Sequence, residues 1–279
     1  MLHHSENDTT IARGQSVATV ICDTYNEEMG SRITTLELVY PRYIHSELMT
    51  HRVFSRNASS SRATPLSVTL DEVKNDPVFF DFVGKNQSGM VAGESLTPKE
   101  IDAFREEWET LAYQVASRVE YMSERFNIHK QTLNRALEPF LRIRTLVTAT
   151  DWDNFFKLRL APDAQPEIKM LAEAMKEAMS ESHPNLGEYH LPYIEEYDPN
   201  SADDWGKYHK ISVARCARVS YARLDGKQNS MEEDLALFAR LRASGHMSPF
   251  EHAAYALNGR HANFEGWESL REFLSDDNN

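Results

Sequence analysis

Between His51 and Arg62 the chain reads HRVFSRNASSSR, which sets three arginines, four serines, an asparagine and a histidine around only two large apolar side chains. Guanidinium forks grip phosphate or carboxylate oxygens in pairs, and serine hydroxyls add further donors, so this composition suits a small anionic ligand. The nearest acid is Glu47, although the whole chain carries a formal net charge of -13. Such a stretch is either a solvated loop or an anion grip, and three other stretches share its character. Arg135, Arg142, Arg144 and Arg159 surround Asn154, Phe155 and Phe156; arginines in this setting also snorkel or pair with acids such as Asp151 and Asp153. RCARVSY runs from Arg215 to Tyr221. HMSPFEH runs from His246 to His252, and its Ser248-Pro249-x-Glu251 spacing is that of a capping box, which would present free backbone N–H groups at a helix start. The same spacing is also plain helix punctuation, and lone histidines are more often structural than catalytic.

Other chemistries are disfavoured. His246 and His252 stand six apart, poor spacing for paired metal ligands on a helix, and no zincin-type cluster, Walker A, GxGxxG or GxSxG motif is present. Neither Cys22 nor Cys216 has a neighbouring base that would mark a nucleophile.

The elements that must position these residues follow from periodicity. Val17–Cys22 and Ile33–Tyr40 are short β-branched runs that predict strands, and Arg42–Arg52 predicts a short helix. Leu66–Ser95 is irregular, with GKNQSGMVAG as a loop. Thr97, Pro98 and Glu100 signal a helix start, followed by an apolar stripe of Ile101, Phe104, Trp108, Leu111, Val115, Val119, Met122 and Phe126. A second helix follows Pro166, with Ile168, Leu171, Met175 and Met179 on one face, and ends before His183-Pro184. A third runs from the Ser230/Glu233 box through Leu235, Phe238 and Leu241 to Gly245. Helices mixed with few, non-alternating strands predict an α+β domain. No repeat is visible, and the chain reads as one domain over 1–279 with a loose N-terminal arm to about residue 14.

Bulk composition bounds the rest. With 41% hydrophobic and 10% aromatic residues the 279-residue chain can bury a core, and a pI near 5.3 argues against a nucleic-acid binder. No apolar run approaches the roughly 20 residues that span a bilayer. The polar start MLHHSENDTT lacks a signal-peptide core, and two cysteines are too few for a disulfide framework, so a reducing cytoplasm is expected.

Taken together, the four blocks resemble the flavin-dependent thymidylate synthases, which methylate dUMP without a catalytic cysteine. The signature of that family is Arg-His-Arg, seven residues, then Ser; here it reads Thr50-His51-Arg52, seven residues, then Ser60. RCARVSY, a helix and GHMSPFEH resemble another family block. NRALEP (134–139) and NFFKLRLAPDAQPEI (154–168) resemble the family's nucleotide-site arginine and flavin-site helix. In the family the ARVS…PFEH block comes first and leads through a strand into the HR motif. Here it lies at about 211–257, so the resemblance implies a circular permutation, with Ile33–Tyr40 as the strand entering the HR segment.

The resemblance further implies a mixed or antiparallel sheet with flanking helices, and a homo-oligomer, a tetramer, with composite sites. It implies FAD as cofactor, dUMP as substrate, and methylenetetrahydrofolate and NADPH as co-substrates. By position, His51, Arg52, Val53, Asn154, Ser220, Ser248 and Glu251 would line the flavin. Glu47, Ser60, Ser61, Arg62, Arg135 and Arg159 would hold the nucleotide. Arg159, Ser60 and His246 would be catalytic, Arg159 polarising the pyrimidine and His246 orienting folate or flavin. Four positions depart from the pattern: Thr50 for the first arginine, Glu47 for a glutamine, Ala58 for a glutamate and Asp163 for a histidine. They leave open a pyrimidine pocket turned toward dCMP, a hydroxymethyl product, or a non-catalytic flavin- or nucleotide-binding relative.

Overall fold

Alternating β-branched and small residues build the first long hairpin, β2 (Ser16–Asn26) and β3 (Ser31–Pro41). Its turn is set by the Asn26 side chain, which accepts the Met29 N–H at 2.9 Å, and by Gly30 in the left-handed region at φ 60°. This is a computed structural model, and it describes residues 8–195, 205–220 and 229–276. The chain order is β1 (Thr10–Arg13), β2, β3, α1 (His45–Leu48), β4 (Ser55–Ala58), α2 (Leu66–Asn75), α3 (Pro98–Phe126), α4 (Lys130–Leu133) and β5 (Arg142–Ala149). It continues with α5 (Asp153–Arg159), α6 (Pro166–Glu181), β6 (Asn185–Leu186), β7 (Tyr189–His190), α7 (Trp205–Ala217), α8 (Met231–Ala243), β8 (Ala254–His261), β9 (Phe264–Ser269) and α9 (Leu270–Asp276). The main sheet runs β1-β2-β3-β5-β4 with antiparallel neighbours, and β6 adds to β2 in parallel. A second sheet is β7-β8-β9. The fold is therefore α+β, with mixed and antiparallel sheets.

The period-two alternation of the strands sends successive side chains to opposite faces. One face carries Val20, Leu36, Leu38, Tyr40, Ile143 and Val147 onto Ile168, Leu171 and Met175 of α6, all buried. Fully burying each such aliphatic is worth roughly 1.5–3 kcal/mol, so packing more than propensity holds α6 in place. The other face carries Thr35, Glu37, Leu146 and Thr148, and His190, Tyr193, Cys216, Val219 and His252 cover it. α7 and α8 pack through Val213, Ala217, Leu237 and Phe238 against Phe250 and Leu270.

Several expectations need correction. Thr10–Arg13, placed in the loose arm, is an edge strand paired with β2 (residues 1–7 lie outside the described ones). Leu66–Asn75, read as irregular, is helix α2; its Thr69, Leu70 and Val73 are buried, but Thr and Val blurred the helical period. The helix expected over Arg42–Arg52 is a 3-10 turn at Arg42–Ile44 followed by the four residues of α1, and it stops before Thr50, whose hydroxyl donates to Glu47 O at 2.7 Å. α3 starts with both halves of its capping box formed, yet Leu111 and Phe126 of the stripe are exposed. The buried line follows Ala112, Ala116 and Val119, because α2 and the 133–141 segment reach only part of this 29-residue helix.

Candidate functional site

The HR segment leaves α1 as a tight turn fixed by Arg56 of β4, whose guanidinium donates to Met49 O (2.8 Å) and His51 O (3.1 Å). The turn delivers His51 into the main core, where its ring meets Phe155 edge-on at 4.9 Å and stacks on Phe54. Arg159, the last residue of α5, reaches back across 108 positions of sequence to the same place. Its Nε donates to His51 Nε2 at 2.9 Å, its Nη1 to Glu47 Oε2 at 3.2 Å, and its Nη2 to Glu47 O and Thr50 Oγ1. A guanidinium can only donate, so His51 Nε2 must be an acceptor and the ring neutral. Burial first, then the charges of Arg159 and Arg56, push the His51 pKa down to about 4. Glu47 and Thr50, two of the departures from the family pattern, are thus the groups that hold Arg159.

A second cluster forms where Ser60–Arg62 turns under the Asn134–Phe140 segment. Asn134 is fully buried and donates to Ser61 O (2.7 Å) and Thr64 O (3.1 Å), while its own oxygen accepts from Thr69 of α2. Glu138 Oε1 gathers Ser61 Oγ (2.7 Å), Arg135 Nη1 (3.0 Å) and Arg42 Nη2 (3.3 Å). Ser60 Oγ accepts the Arg62 N–H at 3.4 Å. The Arg62 side chain is exposed and, among the described residues, has no hydrogen bond or ion pair. Arg52 on the HR turn is likewise exposed and unpaired among them. Val53 is half-buried beside it, and Asn154 is exposed on the first turn of α5.

The C-terminal block packs on β4 of the same chain. Asn57 Nδ2 donates to Cys216 O (2.9 Å), Ser220 Oγ to Ala58 O (2.7 Å), and Ser248 Oγ to Asn57 Oδ1 (3.4 Å). The capping box expected at Ser248 and Glu251 does not form. Ser248–Glu251 is one 3-10 turn, too short to offer a helix start; Glu251 pairs with Arg271 of α9 instead. His246 is exposed on the turn after α8, away from the buried His252. Arg215 and Arg218 of RCARVSY are spent on a structural job: both donate to the buried Asp234 carboxylate, at 3.1 and 2.8 Å, tying α7 to α8. Tyr221 of that motif lies outside the described residues. Burial raises both thiols, Cys22 to about 12, which keeps them protonated and inert.

Sequence reasoning missed Glu138, Asn134 and Arg42. Only Glu138 left a signal, at i+3 from Arg135.

The sequence profile of the family described as thymidylate synthase complementing protein matches residues 31–185. That span holds Glu47, the HR turn, the Ser60–Arg62 turn, Arg135 and Arg159, and leaves out Ser220, Ser248 and Glu251. No curated protein matches the chain by sequence. Among solved structures, a UMP/dUMP methylase from Streptomyces cacaoi bound with 5-Br UMP is 13% identical, with a TM-score of 0.48 over 62% of this chain and 92% of that one. A flavin-dependent thymidylate synthase from Helicobacter pylori, complexed with FAD and dUMP, is 20% identical, with a TM-score of 0.39 over 53% and 67%.

Proposed function

The chain belongs to the thymidylate synthase complementing protein family, the flavin-dependent thymidylate synthases, and from that membership we propose that it methylates dUMP at C5, with FAD as cofactor, methylenetetrahydrofolate as one-carbon donor and NADPH as reductant. The observation that carries the reading is the Arg159 clamp. A guanidinium held by His51, Glu47 and Thr50 is a preorganised donor for a carbonyl that gains negative charge, and such donors act most strongly when they need no reorganisation. His51 serves this arrangement as a neutral acceptor and so positions Arg159. Ser60, Ser61, Arg62 and Arg135 hold the nucleotide, with Arg62, unpaired among the described residues, offered to its phosphate.

The residues fit a flavin by their donor chemistry. Arg52 offers an unpaired guanidinium to a diphosphate, Asn154 an exposed amide, and Val53 an apolar contact; Ser220, Ser248 and Glu251 would complete the cradle from the C-terminal block, with His51 behind it. Bound FAD in its reduced form supplies the hydride of the reaction. His246, exposed near that block, would meet folate or the outer flavin edge.

The order of the blocks is a circular permutation in this reading: 211–257 stands for the family's first block. Its support is the set of bonds from Cys216, Ser220 and Ser248 to β4, together with Ile33 at the start of β3 packing on Ala254 just after PFEH. A homo-oligomer, a tetramer, with sites shared between subunits goes with the family. Sedimentation of the active protein as a monomer would remove that part. A cytoplasmic setting belongs to the same proposal; among the described residues no helix is long and apolar enough to cross a membrane.

One observation favours a second reading. Glu47 puts a carboxylate acceptor beside the polarising guanidinium, which suits the 4-amino group of dCMP better than the 4-oxo group of dUMP. Tritium release from 5-labelled dUMP and dCMP, with folate, FAD and NADPH supplied, tests both. Release from dUMP is expected; release from dCMP alone would move the substrate, and release from neither would leave a non-catalytic binding protein. Arg62→Ala is expected to weaken nucleotide binding by about 1.5–3 kcal/mol, the scale of a lost charged hydrogen bond, with little change in Tm. Unchanged affinity in calorimetry would refute its role.

A further inference from the structure

We propose that His261, Glu268 and Glu272 bind a first-row divalent cation, with zinc the best match, which fastens the β8–β9 hairpin to α9. The three residues come from the end of β8, from β9 and from the first turn of α9, and one donor atom of each lies within 4.8 Å of the others. A bulge makes this possible. Between Ala256 and Arg260 four steps of β8 oppose two of β9, and the strand bends so that His261 folds back toward Glu268.

The histidine is prepared for a ligand. His261 Nε2 lies 3.1 Å from Asn258 O, and a carbonyl only accepts, so Nε2 carries the hydrogen. The other ring nitrogen, Nδ1, faces Glu268 Oε1 at 3.8 Å, too far for a hydrogen bond. A cation between the two would be bound by both. Metal-binding histidines make this same second-nitrogen contact to a backbone carbonyl. Glu268 is only 6% exposed. Independently, Glu272 Oε2 is buried and has no hydrogen-bond partner among the described residues.

Size and chemistry fit. Ligands about 2.1 Å from an ion stand roughly 3–4 Å apart, which the three side chains reach by a small contraction. One imidazole and two carboxylates suit zinc, manganese or ferrous iron; calcium prefers oxygen alone. The cation would also steady Arg271, the neighbour of Glu272 that pairs with Glu251.

The test uses the full chain, stripped with chelator and titrated with zinc at pH 7.5 by calorimetry, with Tm measured alongside. One zinc per chain at micromolar affinity or tighter is expected, with a higher Tm. Glu272→Gln and His261→Ala should each weaken binding at least about 10-fold, the scale for a damaged metal shell. Glu272→Gln is conservative and half-exposed, so it stays informative if the histidine variant fails to fold. No binding up to millimolar zinc would overturn the site and leave a His–Glu ion pair. Binding that neither variant weakens would overturn it too, placing the ion elsewhere on the chain.

Discussion

Arg159→Ala is expected to cut turnover by about 100-fold or more, the usual cost of losing one preorganised electrostatic donor, while the protein stays folded. The asymmetry follows from where the side chain sits. Its partners differ: His51 is buried, but Glu47 is 34% exposed, and its carboxylate can rehydrate when the guanidinium leaves. The half-buried ion pair contributes about 1 kcal/mol, and the buried His51 Nε2 left without its donor costs about 1–3 kcal/mol, so Tm should drop by several degrees without loss of folding. Arg159→Lys keeps the charge but cannot span His51, Glu47 and Thr50 together, so it should recover little activity. A second readout follows from His51. Removing a cation 2.9 Å from its ring takes away one of the forces that hold its pKa near 4, so the pKa rises in the variant. Nuclear magnetic resonance of that imidazole sees the rise even if the reaction differs from the one proposed. Equal losses of turnover and stability would make Arg159 a structural arginine.

What could be read from the sequence, and what could not, divides along local and non-local physics. The helix starts at Thr97, Pro166 and Ser230 rest on contacts within four residues, and each formed as expected. The strands around Val17–Cys22 and Ile33–Tyr40 were legible because alternation reports a buried face. Ser248–Glu251 has the same box spacing as Ser230–Glu233, but its residues find better partners in Asn57 and Arg271, which no local pattern encodes. The site shows the same split. Which residues are chemically able was visible; that Glu47 meets Arg159, or that Glu138 collects three donors, depends on contacts across 112 and up to 96 positions. RCARVSY misled for the opposite reason: its arginines looked free for an anion, and their partner Asp234 lies on the next helix.

Stability is expected to fall steeply as pH drops from about 6.5 to 4, because three imidazoles are buried neutral. Thr24, His190, Thr35, Thr148 and His252 form one buried chain of hydrogen bonds between 2.6 and 2.9 Å that joins β2, β3 and β5 to β7 and the PFEH turn. Each threonine hydroxyl has one hydrogen and can also accept, and each neutral imidazole has one donor and one acceptor, so all four bonds form with both rings neutral and no extra proton is needed. The far nitrogen of His252 is buried and, among the described residues, has no partner to receive a proton's charge. Burial pushes both pKa values down to about 3; Asp23 opposes this weakly at His190, and His190 adds to it at His252. His51 stands near 4. The sign follows directly. Between the folded values and the unfolded value of about 6.5, the unfolded chain binds more protons, so stability declines as pH falls. Each such proton contributes about 1.4 kcal/mol per pH unit, and three give a limiting slope of about 4 kcal/mol per unit, before carboxylates add to it. In His252→Gln one titrating group is gone, and the slope between pH 6 and 4 should shrink by about a third, even though the variant is less stable at pH 7.5. Urea unfolding across this range measures it. An unchanged slope in the variant would mean that His252 is protonated in the folded protein, and that the chain of threonines and imidazoles carries a charge it has no means to stabilise.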